Sequence, residues 1–376
     1  METVKGFNDF LGENARKREE IRKILVATFE KYGFEPAETP IIEYEEFVKE
    51  GNSQDEAVSD VFKLQDKGKR KLALRYELTF QLKRIAKNKK LPYKRYQIGE
   101  VFRDEPISSN RFRQFTQCDV DIFGSTIKDE AEILAIVQEI LDELKIDFVI
   151  YLNNRNLLNE ILEKEGIQNK EQVLKEIDKL NKLDEKEVRE NLKKYQAEKV
   201  LNIIKKDEKS FENYPAYSEI LELKNYLKYY KLDKKVMFSP SLARGLSYYN
   251  GNIFEVRVKN RKESILGGGS YKFNNVQATG ISFGLDRISI FAKLDLKPEK
   301  YLIVSLNQDK ETINLAQKIR KQKKIASIYY GKPSKALEYA NSCDFLKVIF
   351  IGEKEIKSKK FKVKDMKTGK ESLFKI

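Results

Sequence analysis

The sequence predicts an α+β protein, and three stretches carry that reading. Residues 94–103 and 115–123 read as two long strands joined by a turn. Residues 155 to 232 are rich in Lys, Glu, Leu and Ile at helical spacing. From about residue 300, strand-like and helix-like segments alternate. Together they describe a sheet-and-helix body, a helical insertion and an appended α/β unit. At roughly 100–200 residues per domain, 376 residues accommodate two or three domains.

The elements follow in order. Ile21, Leu25 and Phe29 recur every four residues within 13–32, with charges between them and Gly33 behind, which predicts an amphipathic helix and its stop. Residues 38–43 predict a strand entered through a turn, because Pro40 cannot donate to an interior ladder. Pro106 to Asn110 has turn composition and joins the two long strands into a hairpin. LNEILEKEG, KEQVLKEIDKL and AEKVLNIIKK are helical pieces of the insertion. Strand-like YYNGNIFEVRV follows, then a turn at Gly267-Gly268-Gly269, then TGISFGLDRISIF, which starts as strand and ends as helix. The last part alternates YLIVSL, KETINLAQKIRKQ, IASIYY, SKALEYANSC and KVIFIG. The division predicted is 1–154 and 236–298 for two parts of one body, 155–235 for the insertion and 299–376 for the C-terminal unit.

Composition removes several classes of function. The first 20 residues show no apolar run behind a basic end, so no secretory signal is read. No stretch approaches the 18 or so consecutive apolar residues of a membrane span. Two cysteines make neither a disulfide framework nor a thiolate zinc site. The chain contains no His, which removes imidazole bases, Ser–His and Cys–His pairs and His-ligated metals. Chemistry here rests on carboxylates, Arg, Lys, Tyr and hydroxyls, in a cytoplasmic setting. Lys and Arg number 73 against 59 Asp and Glu, a net charge of +14 that favours a polyanionic partner. Residues 301–376 hold 18 Lys and Arg against 8 Asp and Glu, so +10 of that excess lies in the C-terminal unit.

The hairpin is the most informative local object. Strand side chains alternate faces, so Phe115, Gln117, Asp119 and Asp121 line one side while Cys118, Val120 and Ile122 enter the core. Cys118 reads as a small buried hydrophobe, and Cys343 likewise. Arg103 and Glu105 share a face on the preceding strand, and Arg111 and Arg113 lie past the turn. An aromatic ring, an amide, several Arg and several carboxylates suit a ligand that is both anionic and cationic. They equally suit an exposed sheet face with cross-strand ion pairs.

KRYQIGEVFRDEPISSNRFRQFTQCDVDIFG resembles motif 2 of the class II aminoacyl-tRNA synthetases, in the form typical of histidyl-tRNA synthetases. The other motifs follow in order. GFNDFLGENARKREEIRKILVATFEKYGFEPAETPIIE resembles motif 1, and LALRYELT the family's substrate-binding segment. SLARGLSYYNGNIFEV is similar to the histidine-specific motif, ILGGGSYKF to the glycine-rich loop and TGISFGLDRI to motif 3. The tail from VIFIGEKEIKSKK onward resembles the anticodon-binding domain. The resemblance covers nearly the whole chain and is weakest over about 155–235. It implies an antiparallel sheet flanked by helices, carrying a helical insertion and a C-terminal α/β anticodon-binding domain.

The activity implied is formation of histidyl-adenylate from L-histidine and ATP with Mg2+, then transfer of the histidyl group to the 3′ end of tRNA(His). No general base is needed, since the attacking carboxylate is already ionised. Fixed cations must hold two anions together. By resemblance, Arg103 contacts the α-phosphate and the substrate carboxylate, Glu105 the adenine edge, Arg111 the γ-phosphate and Phe115 the adenine face. Arg287 matches the second ATP-binding Arg, and Arg244 a family-specific Arg on the α-phosphate. Arg suits each place, because its charge is permanent and its fork pairs bidentately. Glu77, Gln117 and Asp121 match residues on the substrate ammonium, and Tyr248 and Tyr271 residues near the imidazole.

The resemblance further implies a homodimer through motif 1 and Mg2+ carried mainly on phosphates, with Glu105 a candidate ligand. Ser247 stands where the family has Asp, Ser270 where it has Arg and Asn8 where it commonly has Arg or Lys. The short turn at 106–110 implies altered contacts with the tRNA acceptor end. A second reading is a synthetase-like regulatory subunit for the first enzyme of histidine biosynthesis. Such proteins typically lose the catalytic arginines and the anticodon domain, whereas this chain keeps Arg103, Arg244, Arg287 and a basic C-terminal unit.

Overall fold

Helix α1 (Gly12–Lys31) buries Ile21, Leu25, Thr28 and Phe29 along one stripe, three or four residues apart. Gly33, at φ +78°, lets the chain turn back onto the body after the helix. The computed structural model describes the chain except residues 1, 50–57, 59, 109–110, 182, 245–247, 297–298, 359 and 375–376. Ser247 and the last two positions of the 106–110 turn therefore lie outside the described residues. The chain divides into two compact units, Met1–Leu294 and Asp295–Ile376.

In the first unit, α1 is followed by β1 (Glu35–Pro36), β2 (Ile42–Tyr44), α2 (Glu45–Lys49), β3 (Lys63–Gln65), β4 (Lys71–Leu74) and α3 (Leu82–Ile85). The hairpin is β5 (Tyr93–Phe102) and β6 (Gln114–Phe123), leading to α4 (Ile127–Glu143) and β7 (Phe148–Asn154). Five helices come next: α5 (Arg155–Lys164), α6 (Lys170–Asp178), α7 (Glu185–Lys193), α8 (Val200–Ile203) and α9 (Tyr217–Tyr229). The unit ends with β8 (Val236–Phe238), β9 (Tyr249–Val258), β10 (Ser264–Phe273), β11 (Val276–Gly284) and α10 (Leu285–Phe291).

Eight strands form one sheet in the order β1-β5-β6-β11-β10-β9-β7-β8. Its six central strands pair antiparallel, and only the edge strands β1 and β8 pair parallel. This is the sheet flanked by helices that the sequence implied. Cys118, Val120 and Ile122 of β6 are fully buried in a core shared with α1 and α4. The helices at 155–229 join that same core through residues such as Leu158, Val173, Leu192 and Leu223.

Three local expectations are corrected. Residues 38–43 are not one strand: Glu35–Pro36 pairs with β5, and pairing resumes only at Ile42 in a small sheet ordered β2-β4-β3. Between them the Thr39 carbonyl is taken by Nη1 of Arg75 at 2.9 Å instead of a ladder partner. Gly267-Gly268-Gly269 is not a turn but the middle of β10, paired on both sides. The glycines serve close approach: a Cβ on Gly268 would lie 2.1 Å from the Gly280 carbonyl oxygen. Cys343 is half-buried, unlike Cys118.

The second unit is a five-stranded sheet ordered β13-β12-β14-β15-β16. It is built from β12 (Lys300–Ser305), α11 (Asp309–Lys321), β13 (Ile325–Tyr330), α12 (Pro333–Ser342), β14 (Lys347–Ile351), α13 (Glu353–Ser358), β15 (Phe361–Asp365) and β16 (Glu371–Phe374). The first three strands pair parallel through helical crossovers, and the last two close it antiparallel. Apolar residues of β12, β14 and α11 form its core.

Candidate active site

Register across the central strands decides which side chains meet. In the hairpin, Arg95 faces Asp121, Gln97 faces Asp119, and Gly99 faces Gln117. On the other side of β6, β11 sets Gly280 opposite Asp121, Ser282 opposite Asp119 and Gly284 opposite Gln117. The even-numbered side of β6 is core, so its odd-numbered side is the floor of a cleft. All eleven residues singled out from the sequence line that cleft: Arg103, Glu105, Arg111, Phe115, Arg244 and Arg287, with Glu77, Gln117, Asp121, Tyr248 and Tyr271.

One arm of the cleft is cationic. Nε of Arg103 donates to the Tyr76 carbonyl at 3.0 Å, and its guanidinium lies 5.2 Å from the centroid of the Phe115 ring. Its Nη1 is 3.7 Å from Oε1 of Glu105. Arg287, on the first turn of α10, donates from Nη1 to the Ser264 carbonyl at 2.9 Å. Burial first, then the charges of Arg111 and Arg103, hold the Arg287 pKa below its ordinary value. Three guanidiniums gathered at mutual cost make a place that an anion relieves.

Arg244 approaches from the segment before β9 with φ +60°. Its backbone N–H donates to Oδ1 of Asp178 at 3.0 Å, and its Nη1 lies 3.4 Å from Oε2 of Glu255. Burial opposes its charge, yet Tyr249, Glu255 and Asp178 outweigh that and hold its pKa above the ordinary value. The guanidinium rests against Gly267, where a Cβ would lie 2.1 Å from Nη1. The strand glycine is the space the arginine occupies.

The other arm belongs to a cavity of about 420 Å3 that the arginines also line, and it is where carboxylates and tyrosines gather. Asp121 is buried; its Oδ1 accepts from Oη of Tyr271 at 2.6 Å. Tyr248 Oη donates to Oε2 of Glu77 at 3.2 Å, and the Tyr248 and Tyr271 rings meet edge to face at 5.5 Å. Ser282 receives Nε2 of Gln117 at 2.9 Å and donates its own hydroxyl to Oδ1 of Asp119. Burial is the main cause that raises the pKa of Asp119 and of Asp121; Asp121's charge raises Asp119 further, while Arg95 opposes the shift of both. Ser270 takes no part. It points to the opposite face from Tyr271, is buried, and donates to Glu130 of α4.

Sequence reasoning missed Arg95, which is fully buried beneath Asp121, and left Asp119 out of the site although it placed that residue on the correct face. Arg95 and Arg103 share a strand face at even spacing, which is a usable signal. It also missed Arg18 of α1, whose Nη1 lies 2.8 Å from Oδ1 of Asp286, the neighbour of Arg287. Arg18 occupies a position on the apolar stripe of α1, three residues before Ile21, where an isolated charge has no place unless it is paired. Among the described residues no group of three or more His, Cys, Asp and Glu is placed to hold a metal, and no helix is long and apolar enough to cross a membrane.

The sequence and the fold match known proteins. The model of the family described as histidyl-tRNA synthetase matches residues 6–288. The chain is 35% identical to histidine–tRNA ligase 1 of Bacillus cereus, over 99% of this chain and 96% of that one. It is 32% identical to histidine–tRNA ligase of Methanocaldococcus jannaschii, over 98% and 96%. Among solved structures, a histidyl-tRNA synthetase from Nostoc sp. PCC 7120 superposes with a TM-score of 0.84 at 24% identity, covering 100% of this chain and 96% of the other. A Bacillus halodurans protein described as an ATP phosphoribosyltransferase regulatory subunit/histidyl-tRNA synthetase shares the fold at a TM-score of 0.77 and 21% identity, over 93% and 97%. With the family model spanning most of its length and relatives above 30% identity along nearly all of it, the chain belongs to the histidyl-tRNA synthetase family.

Proposed function

We propose that this cleft is where the chain, a histidine–tRNA ligase, joins L-histidine to ATP. The enzyme activates histidine as histidyl-adenylate and transfers the histidyl group to tRNA(His); histidine, ATP and tRNA are its substrates. One observation carries the assignment of the site: a cluster of arginines and a pocket of carboxylates and tyrosines open into one another. A substrate with an anionic head beside its reacting centre and cationic or N–H groups elsewhere satisfies both arms at once.

In the reading favoured here, the carboxylate of histidine attacks the α-phosphorus, the bond to the β-phosphate oxygen breaks, and pyrophosphate leaves. Arg103 and Arg244 hold the α-phosphate and the attacking carboxylate, and stabilise the charge that grows between them. Arg111 and Arg287 hold the remaining phosphates, Phe115 stacks on adenine and Glu105 accepts from its amino edge. Glu77, Gln117 and Asp121 receive the ammonium, while Tyr248 and Tyr271 read the imidazole. Pocket groups built to hydrogen-bond a side chain reject analogues that lack it. No step needs a side-chain base, which is why a chain without His can perform it.

Mg2+ bound with ATP would offset phosphate charge. Glu105 fits a supporting ligand, since it lines both arms and no multi-carboxylate cage lies beside it among the described residues. We also propose the division into 1–154 and 236–298 for catalysis, 155–235 for the insertion and 299–376 for anticodon binding. A homodimer through α1 and the segment after it, and a cytoplasmic location beside tRNA, complete the reading. Retention of Arg103, Arg244 and Arg287 in the cleft favours the ligase over the regulatory subunit. Calorimetric titration tests the site: Asp121→Asn should abolish histidine binding while ATP still binds, and Arg287→Ala should do the reverse. Loss of both ligands from both folded variants would contradict the two-armed assignment.

A further inference from the structure

We propose that Arg95 is a positioning residue for the amino acid: from beneath the pocket it pairs with the Asp121 carboxylate and keeps it ionised for the substrate. This rests on the reading of the cleft given above.

Arg95 is fully buried near the start of β5, directly opposite Asp121 of β6. Its Nη2 lies 2.9 Å from Oδ2 of Asp121 and donates its aligned hydrogen bond to the Leu78 carbonyl at 2.8 Å. The contact with Asp121 is therefore an ion pair, and Oδ2 of Asp121 has no hydrogen-bond donor among the described residues. The second oxygen, Oδ1, is filled by Tyr271. Asp121 is thus charge-balanced from behind through Oδ2, while its carboxylate lines the cavity.

Two buried carboxylates alternate along the same strand face, and a lone buried charge without a counter-ion takes up a proton instead. The groups facing them are Arg95 from β5, Arg103 just past its end, Tyr271 from β10, Ser282 from β11, Arg75 acting on Asp119 from the segment after β4, and Glu77, Tyr248 and Arg244 across the cavity. Of the cations, only Arg95 is within ion-pair distance of either carboxylate among the described residues. Burial raises the pKa of both, and Arg95 is the leading opposing charge in each case. The geometry also leaves no slack: a Cβ on Gly280 would lie 2.0 Å from Oδ1 of Asp121, so the carboxylate is clamped between Gly280 and Arg95.

The test is histidine-dependent ATP–pyrophosphate exchange from pH 6 to 9 on the full chain, its Arg95→Met variant and its Arg95→Lys variant. Dividing each variant's KM for histidine by that of the unmodified enzyme cancels the substrate's own ionisation. For Arg95→Met this ratio should be about ten-fold or more near pH 6.5 and fall toward one as pH rises and the Asp121 carboxylate ionises again. The KM for ATP should stay within about two-fold, and Arg95→Lys should stay near one throughout. If Arg95→Met does not fold, Arg95→Met with Asp119→Asn removes one of the two repelling charges and should show the same pH dependence through Asp121 alone. A ratio flat across pH, or an equal rise in the KM for ATP, would mean that Arg95 only supports the strand. Absence of histidine-dependent exchange in the unmodified enzyme would instead overturn the reading of the cleft.

Discussion

Arg18 on the first helix and Asp286 on the last helix of the first unit, 268 residues apart in sequence, form a buried ion pair at 2.8 Å. Thr116 completes the cluster: its backbone N–H donates to Oδ2 of Asp286 at 2.9 Å, and its hydroxyl accepts from Nη2 of Arg18 at 2.9 Å. Helix α1, strand β6 and helix α10 are thereby fixed together one residue from Arg287 and one from Phe115. Removing Arg18 leaves the Asp286 charge buried and unpaired, which costs about 3–5 kcal/mol. Arg18→Met should lower urea stability by that order and weaken ATP more than histidine, as separate KM values would show. A drop in stability below about 1 kcal/mol would mean the pair is solvated.

The contact of Arg244 with Gly267 yields a second expectation. Gly267→Ala places a methyl where the guanidinium rests and must displace it. If Arg244 holds the reacting phosphate as proposed, a role worth roughly a hundred-fold or more, Gly267→Ala and Arg244→Ala should cut exchange by similar factors. Their combination should cut it little further. Multiplying losses in the double variant would separate the two residues.

Glu130 gives a pH dependence of stability. It is buried, accepts from Ser270 and from Nδ2 of Asn252 at 2.8 Å, and has no cation beside it among the hydrogen bonds and ion pairs of the described residues. Burial pushes its pKa up to about 7, with Ser270 and Asn252 opposing and Glu219 and Asp129 adding to the rise. The folded value exceeds the unfolded one, so its contribution is complete below about pH 4.5 and disappears as pH rises through about 7. The Glu130→Gln variant has no such pH-dependent decline. Its stability relative to the unmodified protein should improve by roughly 3 kcal/mol between pH 4.5 and 8. A difference that does not move with pH would show that Glu130 is ionised in the fold.

How much of the molecule is legible in its sequence follows from what sets each feature. The hairpin and the floor of the cleft are readable because a period of two assigns faces unambiguously, and Phe115, Gln117, Asp119 and Asp121 do share one. Helix α1 is readable from Ile21, Leu25 and Phe29. The glycine triplet misleads, because composition alone does not separate a turn from a strand that others must approach closely. Arg95 and Arg18 escape notice because their roles depend on partners across the sheet or far along the chain, which spacing does not reveal. Ser270 looks like a change beside the pocket until the alternation of β10 turns it toward Glu130.

The basic C-terminal unit supplies a prediction about RNA. Lys354 and Lys357 lie on α13, and Lys362 and Lys364 on β15. Replacing these four by Gln should weaken tRNA binding and lower the salt slope by roughly 0.7–0.9 for each phosphate no longer neutralised, leaving histidine activation unchanged. An unaltered slope would mark these lysines as solvated surface.

The most direct measurement is ATP–pyrophosphate exchange with Mg2+, run with each of the twenty amino acids in parallel. Exchange driven by histidine alone, and abolished in Arg244→Ala, is the result expected of the cleft described above. A folded protein that binds histidine but exchanges with no amino acid would contradict it, and would turn the same cleft into the sensor of a regulatory subunit.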